Sequence, residues 1–289
     1  MNQTKNDPGA CRTGAPGPDS YTVGELQSGP PCCEPETCLE IRDLSVRYHG
    51  VPALEGVSLD VIRGCITALI GPSGCGKTSL LSTLNRLTDL VPGCEVQGRI
   101  LVDGVDIRSA TTDPRVLRRK VGMVFQRPNP FPLSVRRNID LPLRESGMTK
   151  RADRDAVVQR VLRDVGLLDE LEGRLDGPAL TLSGGQQQQL CIARALALEP
   201  SVLLMDEPCS ALDPISASVV ERLILDLRGK YTVVLVTHNL AQARRIANYA
   251  AFFWMRERRG RLIEFGRCRQ VFDNPTHQLT AAYVRGSSG

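Results

Sequence analysis

The chain has 289 residues, of which 42% are hydrophobic and 24% charged, with a formal net charge of +4. That is enough apolar content for the core of one large domain or two small ones. It is too little basic charge to point to nucleic acid, whose binders concentrate it on one face. No apolar run reaches the roughly 18–20 residues that cross a bilayer, and the N-terminus lacks the apolar stretch of a secretion signal. The ten cysteines therefore read as reduced thiols rather than a disulfide framework. Cys32, Cys33 and Cys38 cluster, but no second pair or histidine follows at zinc spacing.

Residues 1–38 are rich in Pro, Gly, Ser, Asp and Cys and show no hydrophobic periodicity, so a disordered tail is expected there. Folded structure is expected over 39–286. In CLEIRDLSVRY, Leu39, Ile41, Leu44, Val46 and Tyr48 are spaced as in a strand. VSLDVIRG and CITALIG repeat the signal, and these first strands read as antiparallel. Helical spacing follows at Thr78–Leu87, Ala152–Val165 and Gln186–Leu198. Buried-strand runs recur at VGMVF (121–125), SVLLMD (201–206) and TVVLVTH (232–238). Strands alternating with helices predict an α/β domain with a mainly parallel sheet. The stretch from about 128 to 182 lacks strand signals and predicts an inserted helical subdomain.

GPSGCGKT, residues 71–78, fits the phosphate-loop pattern G-x-x-x-x-G-K-[ST] between an apolar strand and a helix. Gly71, Pro72, Ser73, Gly74, Cys75 and Gly76 would curl backbone N–H groups around phosphates, with Ser79 just beyond. The helix N-terminus adds positive potential. Lys77 can reach the β- and γ-phosphates, and the Thr78 hydroxyl can ligate Mg²⁺. Cys75, beside Lys77 and a helix start, is expected to have a lowered pKa and to react with thiol reagents. Asp206 and Glu207 end an apolar strand, where open α/β sheets bind ligands. Asp206 can hold Mg²⁺ directly or through water, and Glu207 can orient or deprotonate a water. His238 ends another such strand and reads as a γ-phosphate contact or as a structural histidine. TLSGGQQQQLCIARALAL places four glutamines, 186–189, after Ser183, a favoured N-cap residue; they read as the first turns of a helix rather than as low complexity.

In this order, the phosphate loop, LSGGQ (182–186), LLMDEP (203–208), SALD (210–213) and His238 resemble the motifs of ABC-type ATPases. Gln126, at the end of VGMVFQ, matches the family's Q-loop glutamine, and Tyr48 matches the aromatic that stacks on adenine. The resemblance spans about 39–286. It implies a P-loop cassette with an antiparallel β subdomain and a helical subdomain, and it implies ATP and Mg²⁺, with Thr78, Asp206 and Gln126 at the metal. It also implies a head-to-tail homodimer sandwiching two ATP molecules. Ser183, Gly184, Gly185 and Gln186 would address the nucleotide on the other copy, and Asp213 would link the two copies. Glu207, His238, Gln126 and Lys77 become the catalytic set.

One cassette without a membrane span, a long heptad arm or a tandem copy disfavours exporters, chromosome-type proteins and translation factors. An importer subunit on a separate permease remains. GPSGCGKT, QRPNPFPLSV (126–135) and DEPCSALDPIS are similar to the ATP-binding subunits of phosphate-specific importers. That resemblance implies two permease subunits, a periplasmic or extracellular phosphate-binding protein, and a peripheral place on the cytoplasmic face of the membrane, with no nucleic-acid partner. Importers of polar amino acids or other oxyanions, and a regulatory ATPase without transport, are the alternatives. The proline-rich 126–135 loop reads as a stiff docking surface or as an ordinary turn. Arg115, Arg118, Arg119 and Lys120 read as a solvated helix face or as a contact for anionic lipid. Gln189 stands where the family has arginine. Losing the arginine removes a small penalty for positive charge near a helix N-terminus along with any ion pair it made, and the two should nearly cancel.

Overall fold

The structure is a computed structural model and describes residues 36–171 and 173–286. The expectation of a disordered tail falls on residues outside this range, apart from 36–38. The first strand opens two residues earlier than the sequence pattern suggests. Thr37 pairs with Ile62, and the Cys38 carbonyl accepts from the Asp103 amide. Cys38 is buried in the core.

Ten strands form one sheet: β1 (Thr37–Tyr48), β2 (Val51–Ile62), β3 (Ile66–Ile70), β4 (Cys94–Val102), β5 (Val105–Asp106), β6 (Val121–Val124), β7 (Val202–Asp206), β8 (Thr232–Val236), β9 (Tyr249–Arg256) and β10 (Arg259–Arg267). Their order is β5-β4-β1-β2-β10-β9-β3-β8-β7-β6. The first four are joined antiparallel, as is the β9–β10 hairpin; β9, β3, β8, β7 and β6 run parallel. β3, β7 and β8 are buried at every position. Strands covered on both faces need mainly apolar residues, which is why ITALI, VLLMD and TVVLV carry only Thr67, Asp206 and Thr232 as polar members. β1 and β2 alternate more, with solvent on one side.

The helices are α1 (Lys77–Leu84), α2 (Pro114–Lys120), α3 (Val135–Glu145), α4 (Arg151–Asp164), α5 (Leu167–Glu170), α6 (Gly184–Leu196), α7 (Pro214–Asp226), α8 (Leu240–Ile246), α9 (Cys268–Asp273) and α10 (Gln278–Val284). α1 stops at Leu84 rather than running to Leu87, because Arg86 takes a left-handed φ of 58° and opens a 3-10 turn. The span 128–182 holds α3, α4, α5 and two 3-10 turns. Its Val135, Ile139, Val158 and Leu162 share one core with Val124, Leu203, Met205 and Leu235 of the sheet. The segment is helical, but it packs on the α/β core rather than around a core of its own. Among the described residues no helix is long and apolar enough to cross a membrane.

Arg115, Arg119 and Lys120 of α2 are exposed, as expected of a solvated face, and Arg118 is half-buried. Arg118 donates to the Asn85 and Arg86 carbonyls, and Arg119 to those of Glu145 and Ser146. They satisfy carbonyls at the ends of α1 and α3, where a positive charge is favoured.

Candidate functional site

The site forms at the carboxyl ends of β3, β8, β7 and β6, which lie side by side in the sheet. Each strand delivers one chemical part beyond its last residue: the phosphate loop, His238, Asp206–Glu207 and Gln126. This is where ligands bind in open parallel sheets.

The phosphate loop lies against other backbone so closely that side chains are excluded. A Cβ on Gly71 would sit 2.1 Å from the Phe253 carbonyl oxygen. Gly76 starts α1 in a left-handed conformation, and no side chain caps the helix. Its first N–H groups are left for a ligand, as an anion site requires. Lys77 is 6% exposed. Its ammonium donates to the carbonyls of Gly71 (2.8 Å) and Pro72 (2.7 Å) and to Cys75 Sγ (3.5 Å). The Thr78 hydroxyl donates to Asp206 Oδ1 at 3.2 Å.

Asp206 is buried at the end of β7, and burial pushes its carboxyl above the usual carboxylate value, against the opposing pull of Thr78. Glu207 follows with φ of 45°, a left-handed conformation that costs a non-glycine residue about 1–3 kcal/mol. Its amide donates to the Val236 carbonyl at 3.0 Å, which pins the turn to β8. The turn swings the carboxylate between two partners. His238 Nδ1 lies 3.1 Å from Glu207 Oε2, and Gln126 Nε2 donates to the same oxygen at 3.3 Å and to Ser210 Oγ at 3.1 Å. The three strand-end residues singled out by pattern are thus one hydrogen-bonded cluster.

A cavity of about 680 Å³ opens in front of it, lined by Gly71, Pro72, Ser73, Glu207 and His238, with Trp254 and Tyr283 as an aromatic wall. Tyr283, from α10, stacks on Phe252 with ring centroids 5.0 Å apart and meets Trp254 edge-on at 6.2 Å. The sequence reading missed both aromatics, and no local motif marks them. It also missed Gly260 on β10. A Cβ there would come within 2.2 Å of the Cys75 carbonyl oxygen and 2.7 Å of that of Ala53. Gly260 is the backing of the phosphate loop, and its only sequence signal is a glycine inside a strand.

Cys75 corrects the expectation of a reactive thiol. It is fully buried, packed in the same core as Leu54 and Leu80. Burial raises its pKa, and the lowering influence of Lys77 does not overcome it. Proximity in sequence to a lysine does not activate a thiol that water cannot reach.

The remaining candidates lie elsewhere. Ser183 caps α6 in a reciprocal box: Gln186 N donates to Ser183 Oγ at 3.3 Å, and Ser183 N donates to Gln186 Oε1 at 3.2 Å. Gln186 Nε2 also reaches Glu170 at 3.0 Å. Ser183 and Gly184 are exposed, while Gly185 packs against Ser216 of α7, which a Cβ would approach to 2.6 Å. Asp213 caps α7 by accepting from the amides of Ile215 and Ser216, each at 3.0 Å, and its bonds to Ser216 lower its pKa. Tyr48 pairs with Val51 and Cys94 on the antiparallel side of the sheet. Ser79 lies one residue past the loop, and its carbonyl accepts from Thr83. Gln189 is buried, and its amide donates to the Val165 carbonyl at 2.7 Å. It ties α6 to the end of α4, a role its place in a polar tract did not suggest.

Known proteins resemble this chain in sequence and fold. Residues 54–210 match the profile of the family described as ABC transporter. The chain is 63% identical over 269 residues to "Phosphate import ATP-binding protein PstB 1" of Nitrosococcus oceani, a match covering 93% of this chain and 97% of that protein. It is 49% identical over 251 residues to the phosphate import ATP-binding protein PstB of Cytophaga hutchinsonii, covering 87% of this chain and 99% of the relative. Among solved structures, cbiO1 from Clostridium perfringens, part of the ABC transporter complex cbiONQ, superposes with a TM-score of 0.70 at 29% identity. That match covers 83% of this chain and 92% of the other. The chain belongs to the ABC transporter family, as one of its ATP-binding subunits.

Proposed function

We propose that the chain is the ATP-hydrolysing subunit that powers import of inorganic phosphate through a separate membrane permease, bound peripherally at the cytoplasmic face. The observation that carries the enzymatic part is the Glu207 carboxylate, held by Gln126 and His238 in front of a phosphate loop with a buried lysine. The cargo assignment is supported by the likeness to phosphate import proteins over nearly the whole chain.

Phosphoryl transfer is mostly positioning and charge neutralisation. Lys77 exchanges its carbonyl partners for β- and γ-phosphate oxygens. The open amides at the start of α1 hold the same oxygens, and Tyr48 stacks on the adenine. Glu207 accepts the proton of the attacking water as its oxygen bonds to the γ-phosphorus and the bond to the ADP oxygen breaks. A general base of this kind contributes about 10²–10⁴-fold. Gln126 and His238 fix the direction of the carboxylate. His238, with 59% of its side chain exposed, can turn to the γ-phosphate without losing its place.

Mg²⁺ fits the adjoining Thr78 hydroxyl and Asp206 carboxylate, both hard oxygen donors, with the Gln126 amide oxygen as a third candidate. When bound, it would neutralise charge on the β- and γ-phosphates.

Two copies act head to tail, with ATP between them. The exposed Ser183–Gly184 end of α6 meets the γ-phosphate on the partner copy, and Asp213 joins the two surfaces. Two permease subunits dock on the 126–135 loop, where Phe125 and Phe131 are each 39% exposed. A periplasmic or extracellular binding protein brings phosphate to them, so this chain never touches the cargo.

The test is complementation. Cells lacking their own high-affinity importer ATPase, given this chain and its cognate permease, should regain phosphate uptake. Uptake of a different solute and none of phosphate would overturn the cargo assignment.

A further inference from the structure

Gln188, Cys191 and Arg194 recur every three residues along α6, a spacing that keeps them near one face over successive turns. All three meet the segment that follows β6. Gln188 Nε2 donates to the Phe125 carbonyl at 3.2 Å. The Asn129 amide donates to Cys191 Sγ at 3.4 Å. Arg194 makes the most contacts. Nη1 donates to the Asn129 carbonyl at 3.1 Å, and Nη2 donates to Asn129 Oδ1 at 2.9 Å. The guanidinium also lies over the Phe131 ring, 4.3 Å from its centroid. From the other side Asn138, fully buried in α3, accepts from the Phe131 amide at 2.7 Å and donates to its carbonyl at 3.2 Å.

This stretch is therefore not an ordinary mobile turn. Its prolines restrict φ, and both flanks are hydrogen-bonded. The same stretch carries Gln126, which holds Glu207. The same helix begins at Ser183. Among the described residues Arg194 forms no ion pair. A planar fork on two oxygens of one residue and one aromatic face gives direction, which a lysine could not reproduce.

We infer that Arg194 is a positioning residue that clamps the 125–131 loop to α6, so that displacement of the loop shifts Gln126 and Ser183 together. The clamp gives the loop a mechanical connection to both nucleotide-contacting elements. Its link to transport rests on the importer reading above.

Two measurements on the full chain decide it. Hydrogen exchange on the chain alone should show faster exchange at 125–131 in Arg194→Ala and in Asn129→Ala, with the double variant no faster than either single one. Arg194→Lys should behave like the alanine variant, because the charge remains and the fork is lost. Unchanged protection in both single variants would overturn the clamp. In proteoliposomes with the cognate permease, Arg194→Ala should keep the ATP turnover of the isolated chain within about twofold while the permease-stimulated increment falls about five- to tenfold, the low end of coupling between sites. Equal losses in chain and complex would reduce Arg194 to a structural role. A wild-type complex without stimulation would instead break the importer reading, and the exchange result would still decide the clamp.

Discussion

Two helices of this chain open from glycine-bearing turns, and their N-termini are finished in opposite ways. α1 begins at Gly76 with no side-chain cap, beside a lysine that is almost wholly buried. α6 begins at Ser183 with a full capping box that satisfies donors internally and leaves its end exposed. An uncapped helix end costs stability unless something else meets its amides. The contrast supports the proposed reading, in which α1 is an anion site that phosphates would complete and α6 is a finished surface that would meet a nucleotide from outside. The backbone backing differs in the same sense. The phosphate loop rests on carbonyl and strand backbone that admit no Cβ at Gly71 or Gly260, while a Cβ on Gly185 at the α6 end would meet the Ser216 side chain.

The sharpest break on the α1 side is Glu207→Gln. It keeps the shape and removes the base, so ATP turnover should fall about 10²–10⁴-fold. The ATP-bound variant should elute at twice the monomer mass in gel filtration. Full turnover would sink the assigned mechanism. Next in size is Gly260→Ala, far from every motif. Its methyl must displace the Cys75 carbonyl, so nucleotide affinity measured by titration calorimetry should drop more than about tenfold, the loss that 1.4 kcal/mol produces. Normal affinity would show that the loop is not held from beneath.

On the α6 side the effects shrink. Gln186→Ala removes half of the capping box and the contact to Glu170, a loss of about 1 kcal/mol, and should lower turnover about fivefold. Gln189→Arg should change turnover by less than that, because an arginine at this buried position can still donate to the Val165 carbonyl. A hundredfold gain with Gln189→Arg would mark the natural chain as an impaired ATPase.

The smallest effect returns to α1 and concerns stability. Burial raises the Asp206 pKa, so between its ordinary value and the raised one the folded chain binds more protons than the unfolded chain. Stability therefore falls as pH rises through that window and stays lowered above it. Asp206→Asn should raise the melting temperature at neutral pH, because it removes a carboxylate that burial disfavours. Metal-dependent turnover should be lost at the same time. A lower melting temperature, measured by calorimetry without nucleotide, would mean that Thr78 and Lys77 outweigh the cost of burial.

The fold class and the meeting of Gln126, Glu207 and His238 at the strand ends were largely legible in the sequence. ITALI, VLLMD and TVVLV must be mainly apolar to lie inside a sheet covered on both faces. The phosphate loop must combine glycines, lysine and a hydroxyl at set spacing to follow a phosphate chain. Those demands are local, so they leave a local trace. What touches what is not local. The tract 186–189 states only that four amides follow a serine. The folded chain sends them to four different places: Glu170, the Leu180 and Leu182 carbonyls, Phe125 and Val165. The burial that silences Cys75, the support from Gly260, the wall of Trp254 and Tyr283, and the grip of Arg194 on Asn129 were likewise decided only by tertiary structure. Each depends on segments that lie apart in the chain, such as Arg194 and Asn129, 65 residues apart, or Gly260 and the Cys75 carbonyl. A sequence records which groups are available for hydrogen bonding and packing; which acceptor or cavity each one meets is set when distant segments close on one another, and a local pattern carries no record of that distance.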